Sequence, residues 1–394
     1  MRRHLLVTGH LARRKLGDIK ARDAHLNRRA PPEELTRRPV VHVNTEHGYS
    51  GGEVQVFLLM EGLRDLGVEQ VLVAPAGSES AKRGRAAGFC VCELGLGHQL
   101  DVVGVARLAM RLRGAALVHL HTGRAAWLGS LAARLVGCPV VITRRMDRTV
   151  RPGLRTWLAY RKTARVVIAI SGPVAQLLQR AGVPKERVTV IPDALDPARL
   201  VSTVTRADTR AKLGAGDDAF VVLALAQLTR RKGVDVLLRA LAESKTSGLR
   251  CMIAGDGPER KALEQLARDL GLGDRALFLG RRGDAGDLLA ACDLFCLPSR
   301  AEGMGVAALE ALGAGRAVVA SRVGGLGELI VDGRSGLLVE PEDVSGLAAA
   351  IMRVREDDEL RARLEAAGPR RVDEGFRAEQ YVDRHVALYR DVLA

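Results

Sequence analysis

From Pro39 onward the chain alternates short apolar runs with longer segments of helical periodicity, and it does so twice. Val40–Asn44, Val68–Ala74, Leu117–His121, Val140–Thr143, Val166–Ile170 and Val188–Ile191 form a first set; Phe220–Ala226, Cys251–Ala254, Ala276–Leu279, Leu294–Leu297, Ala317–Ala320 and Gly336–Val339 form a second. A strand that returns through a helix must lie parallel to its neighbour, so each set predicts a parallel sheet wrapped by helices. The intervening segments carry one apolar stripe each: Leu263, Leu266, Ala267 and Leu270 recur at spacings of three and four within Glu259–Leu270. The expected fold class is α/β with two doubly wound, Rossmann-like domains, which 394 residues accommodate comfortably. The break at Pro192-Asp193-Ala194-Leu195-Asp196-Pro197 sets the expected boundary, giving domains at 39–194 and 195–377.

Charge divides along the same line. Residues 1–200 hold 32 Lys+Arg against 16 Asp+Glu, and residues 201–394 hold 28 against 30. An excess of this kind points to a partner bearing phosphate, either nucleic acid or an anionic membrane surface, unless it reflects a general surplus of arginine. Residues 1–38 concentrate it in Arg13-Arg14-Lys15, Arg28-Arg29 and Arg37-Arg38 around Pro31-Pro32, and read as a flexible basic extension. The six cysteines lack zinc-site spacing, and most lie in apolar runs, as reduced core residues of a cytosolic protein would. No run is long enough to span a bilayer and no secretory leader is evident, so the expected location is cytoplasmic, with any membrane contact peripheral on the inner face.

In open parallel sheets ligands bind beyond the carboxyl ends of the strands. After the first run comes Asn44-Thr45-Glu46-His47-Gly48-Tyr49-Ser50-Gly51-Gly52, then a helical pattern from about Glu53. Gly51 and Gly52 would let a ligand approach the backbone in front of a helix N-terminus, or simply form a turn. His119 and His121 share one face at the end of Leu117–His121, as functional groups or as hydrogen-bonded structural ones. Arg144 and Arg145 either meet an anionic acceptor or face solvent. Arg230, Arg231 and Lys232 precede Gly233 and a helix, where cations and free amides together suit a diphosphate, although a charge run alone is often a solvated face. The nucleotide-hydrolase spacing Gly-x4-Gly-Lys-Ser/Thr is absent.

The richest segment is Pro298-Ser299-Arg300-Ala301-Glu302-Gly303-Met304-Gly305-Val306, running into a helix that carries Glu310. Glu302 lies in the loop and Glu310 about one turn into the helix, so the two carboxylates serve separate tasks. A carboxylate accepts hydroxyl protons of a sugar or ribose, and the amides of Gly303 to Val306 can hold an anionic oxygen. The bland alternative, a helix-start charge and a surface residue, leaves Gly303-Met304-Gly305 unexplained.

With Glu302-x7-Glu310 set inside Pro298-Ser299-x-x-Glu302-Gly303-x-Gly305, the sequence over 39–394 resembles the retaining glycosyltransferases of family 4, which have the GT-B fold. Lys232-Gly233-Val234-Asp235-Val236-Leu237-Leu238, Gly255-Asp256-Gly257-Pro258, Ala320-Ser321 with Gly324-Gly325, and Gly333 to Pro341 extend the match; Gly51-Gly52, His121 and Ile170-Ser171 carry it more loosely in the first half. The resemblance implies two domains facing across a cleft, with a C-terminal helix at about 378–394 crossing back to the first. It also implies a nucleoside diphosphate sugar bound in the second domain, an acceptor in the first, and transfer with retention of configuration. His121, Glu302, Lys232 and Arg231 would be catalytic. Gly52, Arg230, Gly255, Gly303, Met304, Gly305, Val306 and Glu310 would bind the donor, with Glu310 on the ribose. His47, Tyr49, Gly51, Arg144 and Arg145 would bind the acceptor. No cofactor is implied beyond the donor, and the lack of any Asp-x-Asp agrees with a metal-free reaction. Two departures stand out: Ala226-Gln227 replaces the frequent Gly-Arg, leaving Arg230 or Arg231 to substitute, and Gly315-Arg316-Ala317 replaces Gly-x-Pro.

The function expected from this resemblance is a hexosyltransferase acting on a lipid-linked, lipopolysaccharide or cell-surface polysaccharide acceptor at an anionic membrane surface. A small soluble acceptor is the alternative. A non-catalytic nucleic-acid-binding protein is disfavoured by 3% aromatic content and the absence of a recognised motif.

Overall fold

A computed structural model describes residues 30–98, 101–150, 153–216, 218–244 and 248–394. The first seven strands are β1 (Val40–Val43), β2 (Gln70–Ala74), β3 (Cys90–Glu93), β4 (Leu117–Leu120), β5 (Val140–Arg144), β6 (Ala164–Ala169) and β7 (Val188–Val190). They form one sheet in the order β3-β2-β1-β4-β5-β6-β7. A second sheet has the order β10-β9-β8-β11-β12-β13, with β8 (Phe220–Leu225), β9 (Leu249–Ala254), β10 (Ala276–Gly280), β11 (Leu294–Leu297), β12 (Ala317–Ser321) and β13 (Leu337–Val339). Every pairing is parallel. β1, β4 and β11 are buried on both faces, which is why they read as unbroken Val/Leu runs and not as alternating ones. In each sheet the crossovers diverge at one point, between β1 and β4 and between β8 and β11, and the crevice for a ligand opens at the carboxyl ends there.

The chain passes between the sheets twice, and the two passages lie side by side. Gln55 fixes the first: its Nε2 donates to Ala194 O at 2.7 Å and its Oε1 accepts from Ala194 N at 2.8 Å. Leu195 N then donates to Phe376 O at 2.8 Å, tying the outward passage to the returning one. Beyond it the helix Ala378–Leu393 packs on helix Gly51–Asp65, and Tyr381, Val382, Val386 and Tyr389 share an apolar cluster with Leu59, Leu63, Leu117 and Val141. Tyr389 is fully buried and bonds His119 Nδ1 at 2.6 Å, so the final helix is pinned to β4 by a polar contact within an apolar seam.

Several expectations change here. Residues 1–29 of the basic extension lie outside the described residues, but the extension does not run to 38. Glu33–Arg37 is a helix whose Leu35 is fully buried against the first sheet and the C-terminal helix. Only Cys251, Cys292 and Cys296 are core residues; Cys90 is exposed and Cys92 half-buried because β3 is a sheet edge whose flank stays open, and Cys138 is half-buried in the turn before β5. The first-domain helix starts at Gly51 and not Glu53, with Ser50 and Glu53 forming a capping box. Among the described residues no helix is long and apolar enough to cross a membrane.

A Cβ built on Gly62 would overlap the Val382 side chain. Gly62→Ala is therefore expected to destabilise the first unit by about 1–3 kcal/mol through overpacking. Adding Val382→Ala should recover part of that loss, read as the denaturant midpoint of the double variant against each single one.

Candidate active site

The loops that follow β8 and β11 approach one another backbone to backbone. Gly233 has φ +65°, and a Cβ there would collide with the carbonyl oxygen of Pro298. Both the left-handed turn and the close approach demand glycine. Arg300 locks the meeting: it forms two 2.8 Å bonds with Asp235, one with Glu342 Oε1 and one with Arg230 O, and its own N–H donates to Arg231 O at 2.8 Å. The bidentate Arg300 bond holds the Asp235 carboxyl below the usual carboxylate range. In this frame Lys232 Nζ contacts Glu302 Oε2, and Ser299 Oγ donates to the same oxygen at 3.3 Å. The ammonium and carboxylate that the sequence set 70 residues apart form one pair at the head of the crevice.

Glu310 is buried and bonded to Arg199, a residue on the short turn Pro197–Leu200 just after the chain enters the second unit. Burial pushes the Glu310 carboxyl up, and Arg199 opposes that rise. The Gly303 carbonyl accepts from Ser171 Oγ at 2.8 Å, and a Cβ on Gly303 would strike the Arg145 carbonyl, so the loop bearing Glu302 sits directly on the first unit. Arg231 crosses the same gap, its Nη1 lying 3.1 Å from Asp147 Oδ1.

On the first unit His121 is buried at the end of β4. Its Nε2 shares a 3.0 Å hydrogen bond with His42 Nδ1, and its Nδ1 lies 3.4 Å from Arg145 Nη1. His42, His119 and His121 bring ring nitrogens within 4.8 Å of one another. They are not poised as a ligand set, because His119 spends both nitrogens, on Tyr389 OH and on Thr143 Oγ1, each at 2.6 Å. Arg145, expected on the acceptor, is largely buried. Its side chain runs inward to Asp193, with Nε 3.4 Å from Oδ1, and to Tyr381 OH at 3.3 Å. Burial pushes the Asp193 carboxyl up to about 6 against the pull of Arg145, with the charge of Glu302 adding to the rise.

The remaining expected residues spread more widely. Gly51 faces Val306 and Gly52 faces Arg145, at ordinary contact distance from where a Cβ would stand, so both border the crevice. Tyr49 stacks under Arg83 and its carbonyl accepts from Arg281 of the second unit at 3.1 Å. His47 and Arg230 are exposed. Arg144 turns onto its own loop, donating to Met146 O and Arg148 O. Gly255 packs against the Ala226 carbonyl, bracing the β8 loop. Asp147, Asp193 and Arg199 were not singled out by sequence reasoning; nothing local distinguishes them, and each acts on a residue far away in the chain. A cavity of about 790 Å³ lined by Arg38, Ala116, Pro139, Arg165 and Leu393 lies at the opposite, amino ends of the first sheet and touches none of these groups.

The four buried histidines give the site a measurable pH signature. Burial lowers His42 and His385 to about 3 and holds His119 and His121 well below the usual value. Their folded pKa values are depressed relative to about 6.5 in the unfolded chain, so the stability they contribute is complete above pH 6.5 and is lost as pH falls toward 3. Between pH 7.5 and 5.5 unfolding of the first unit is therefore expected to become progressively easier, read as a falling denaturant midpoint. In His385→Gln the slope against pH should be shallower by about one proton; an unchanged slope would show that His385 is already charged.

Comparison with known proteins accounts for both halves. Residues 49–199 match the model of "Glycosyltransferase Family 4" and residues 205–371 that of "Glycosyl transferases group 1". A lipopolysaccharide core biosynthesis glycosyltransferase, LpsD of Rhizobium meliloti, is 35% identical over 232 residues, 59% of this chain and 65% of that protein. The chain thus spans just under two thirds of LpsD. The alpha-D-kanosaminyltransferase of Streptomyces kanamyceticus is 33% identical over 288 residues, 67% of this chain and 74% of that one. Among solved structures, HepE of Anabaena in complex with UDP and glucose superposes with a TM-score of 0.81 at 24% identity, covering 89% of this chain and 99% of that one. Two parallel sheets that meet at their switch points, each half matched by its own family model, place the chain in family 4 of the GT-B glycosyltransferases.

Proposed function

We propose that the protein transfers a hexose-type sugar, with retention, from a nucleoside diphosphate sugar to a lipid-linked or glycan acceptor of the cell envelope. The observation that carries this reading is the Lys232–Glu302 pair beside Arg231, at the mouth of the crevice and ahead of a helix N-terminus. A diphosphate seated there gains charge on its leaving oxygen as the sugar departs, and cations already in place stabilise that charge without reorganising. Arg231 and Lys232 take that role, Glu302 turns to the sugar hydroxyls, and Glu310 accepts from the ribose. His121, kept neutral by burial, can exchange a hydrogen bond with a sugar hydroxyl without adding charge. With both cations supplied by the chain, the reaction needs no metal. HepE, bound to UDP and glucose, and LpsD, named for lipopolysaccharide core biosynthesis, support the donor class and the acceptor class respectively. The test is a panel of nucleoside diphosphate sugars scored by thermal shift, followed by turnover of the best donor. Lys232→Ala and Glu302→Ala should each lower turnover by about 10²–10³-fold, with excess EDTA having no effect. Turnover unchanged in both variants would sink the proposal.

The membrane contact in this reading has a definite face. Helix Val102–Leu112 turns Val102, Val103 and Met110 outward beside Arg107 and Arg111. Across helix Gly123–Val136, residues 153–163 turn out Leu154 and Trp157 beside Arg155, Arg161 and Lys162. Residues 94–163 hold twelve Lys+Arg and two Asp+Glu. Exposed apolar side chains among cations suit the headgroup region of an anionic bilayer. The chain is expected to float with vesicles containing phosphatidylglycerol and not with pure phosphatidylcholine, and to be released by 0.5 M salt as about a 3–5 Å screening length sets in. Arg155→Glu with Lys162→Glu should abolish flotation; equal flotation on both vesicle types would exclude this face.

A further inference from the structure

Asp147 is an acid in a cationic stretch. Between Glu93 and Glu186 the chain has one other acidic residue, Asp101, and that one caps a helix, accepting from Gly104 N at 2.7 Å and Gly97 N at 3.1 Å. The loop that presents Asp147 is built for the purpose. Arg144 ties down the carbonyls on either side of it, those of Met146 and Arg148, and Arg145, two residues before it, is anchored in the buried network with Asp193 and Tyr381. So held, Asp147 reaches across the crevice to Arg231. Its carboxylate is 10% exposed, whereas the Arg231 side chain is 37% exposed, so an incoming ligand meets the guanidinium first. Asp147 Oδ2 is buried and has no hydrogen-bond partner, so the carboxylate is only half used by the contact it makes.

Both cations assigned to the diphosphate are therefore occupied by carboxylates: Lys232 by Glu302 of its own unit, and Arg231 by an acid of the other unit. We propose that Asp147 is a stand-in for the donor diphosphate. It neutralises Arg231 across the crevice while the donor is absent and yields it to a phosphate oxygen when the donor binds. The proposal rests on the donor reading above. The exposure of Arg231 makes the exchange feasible, because its guanidinium stands on the solvent side of the pair and can pass to a ligand oxygen, whereas a guanidinium buried with its partner would be held permanently. The exchange links the half-sites: donor binding removes a contact between the units and frees a carboxylate on the acceptor side. Asp147 is in this sense a positioning residue, acting through Arg231.

The experiment is a calorimetric titration of the full chain with UDP, GDP and ADP, taking the tightest as probe. The set comprises the unmutated chain, Asp147→Asn, Arg231→Gln and the double variant, with thermal melts to confirm folding. Asp147→Asn should bind the probe about fivefold tighter, since its competitor for Arg231 is gone. Arg231→Gln should bind more weakly, and in that background Asp147→Asn should bring no further gain. Unchanged or weaker binding in Asp147→Asn overturns the proposal. So does a gain that persists in full without Arg231, which would reveal only through-space repulsion. Binding by the unmutated chain without these effects overturns this proposal alone, whereas no binding of any of the three nucleotides overturns the donor reading and this proposal with it.

Discussion

Everything at the candidate site depends on how closely the backbone after β8 approaches the backbone after β11. With Gly233 against the Pro298 carbonyl, no side chain separates the basic loop from the loop that carries Glu302. Arg300 then binds both loops through Asp235 and the Arg230 carbonyl, and the Lys232 and Glu302 side chains can meet. A methyl group at 233 would push the loops apart, and the pair would be lost without either member changing. The glycines of the two motifs and their charged residues are thus one device: the first set the distance over which the second act.

The same closeness explains why the site's charges are already matched. Lys232, Glu310 and Arg145 lie in low-exposure surroundings, as does the Asp147 partner of Arg231, and an unpaired charge there would be costly. Each has found a partner: Glu302, Arg199, Asp193 and Arg231. The partners are not equal in kind. Arg145–Asp193 is buried on both sides and ties β5, the interdomain passage and the C-terminal helix together, which makes it structural. Arg231 and Arg199 remain about one third exposed, so their pairings can be exchanged for a ligand's charge or hydroxyls.

What the sequence disclosed follows from what is local. Twelve of the thirteen strands and the segments 230–233 and 302–310 were legible because each is a periodicity or a motif within about twenty residues; the short edge strand β3 was not among the expected strands. Residue type alone could not say where a side chain turns. Arg144 and Arg145 are adjacent cations after β5, yet one folds back on its own loop and the other is buried against Asp193 and Tyr381. Nor could local pattern pair Arg199 with Glu310, 111 residues apart, or His119 with Tyr389, 270 apart. His121 was visible as a polar residue at a strand end. Its neutrality was not, because that comes from burial beside His42, His119 and Arg145, which only the fold assembles.

This bears on the charge asymmetry that first marked the amino-terminal half. Part of that positive charge is engaged within the unit: Arg145 is buried against Asp193, and Arg187 donates to the Arg161 and Ala164 carbonyls. Cations facing water are distributed over the unit, and some of them, on helix Val102–Leu112 and residues 153–163, keep company with its largest exposed apolar side chains. Charge alone would attract any polyanion, nucleic acid included, and apolar exposure alone would attract any hydrophobic partner. Their coincidence on these two segments is the observation on which the proposed membrane contact rests.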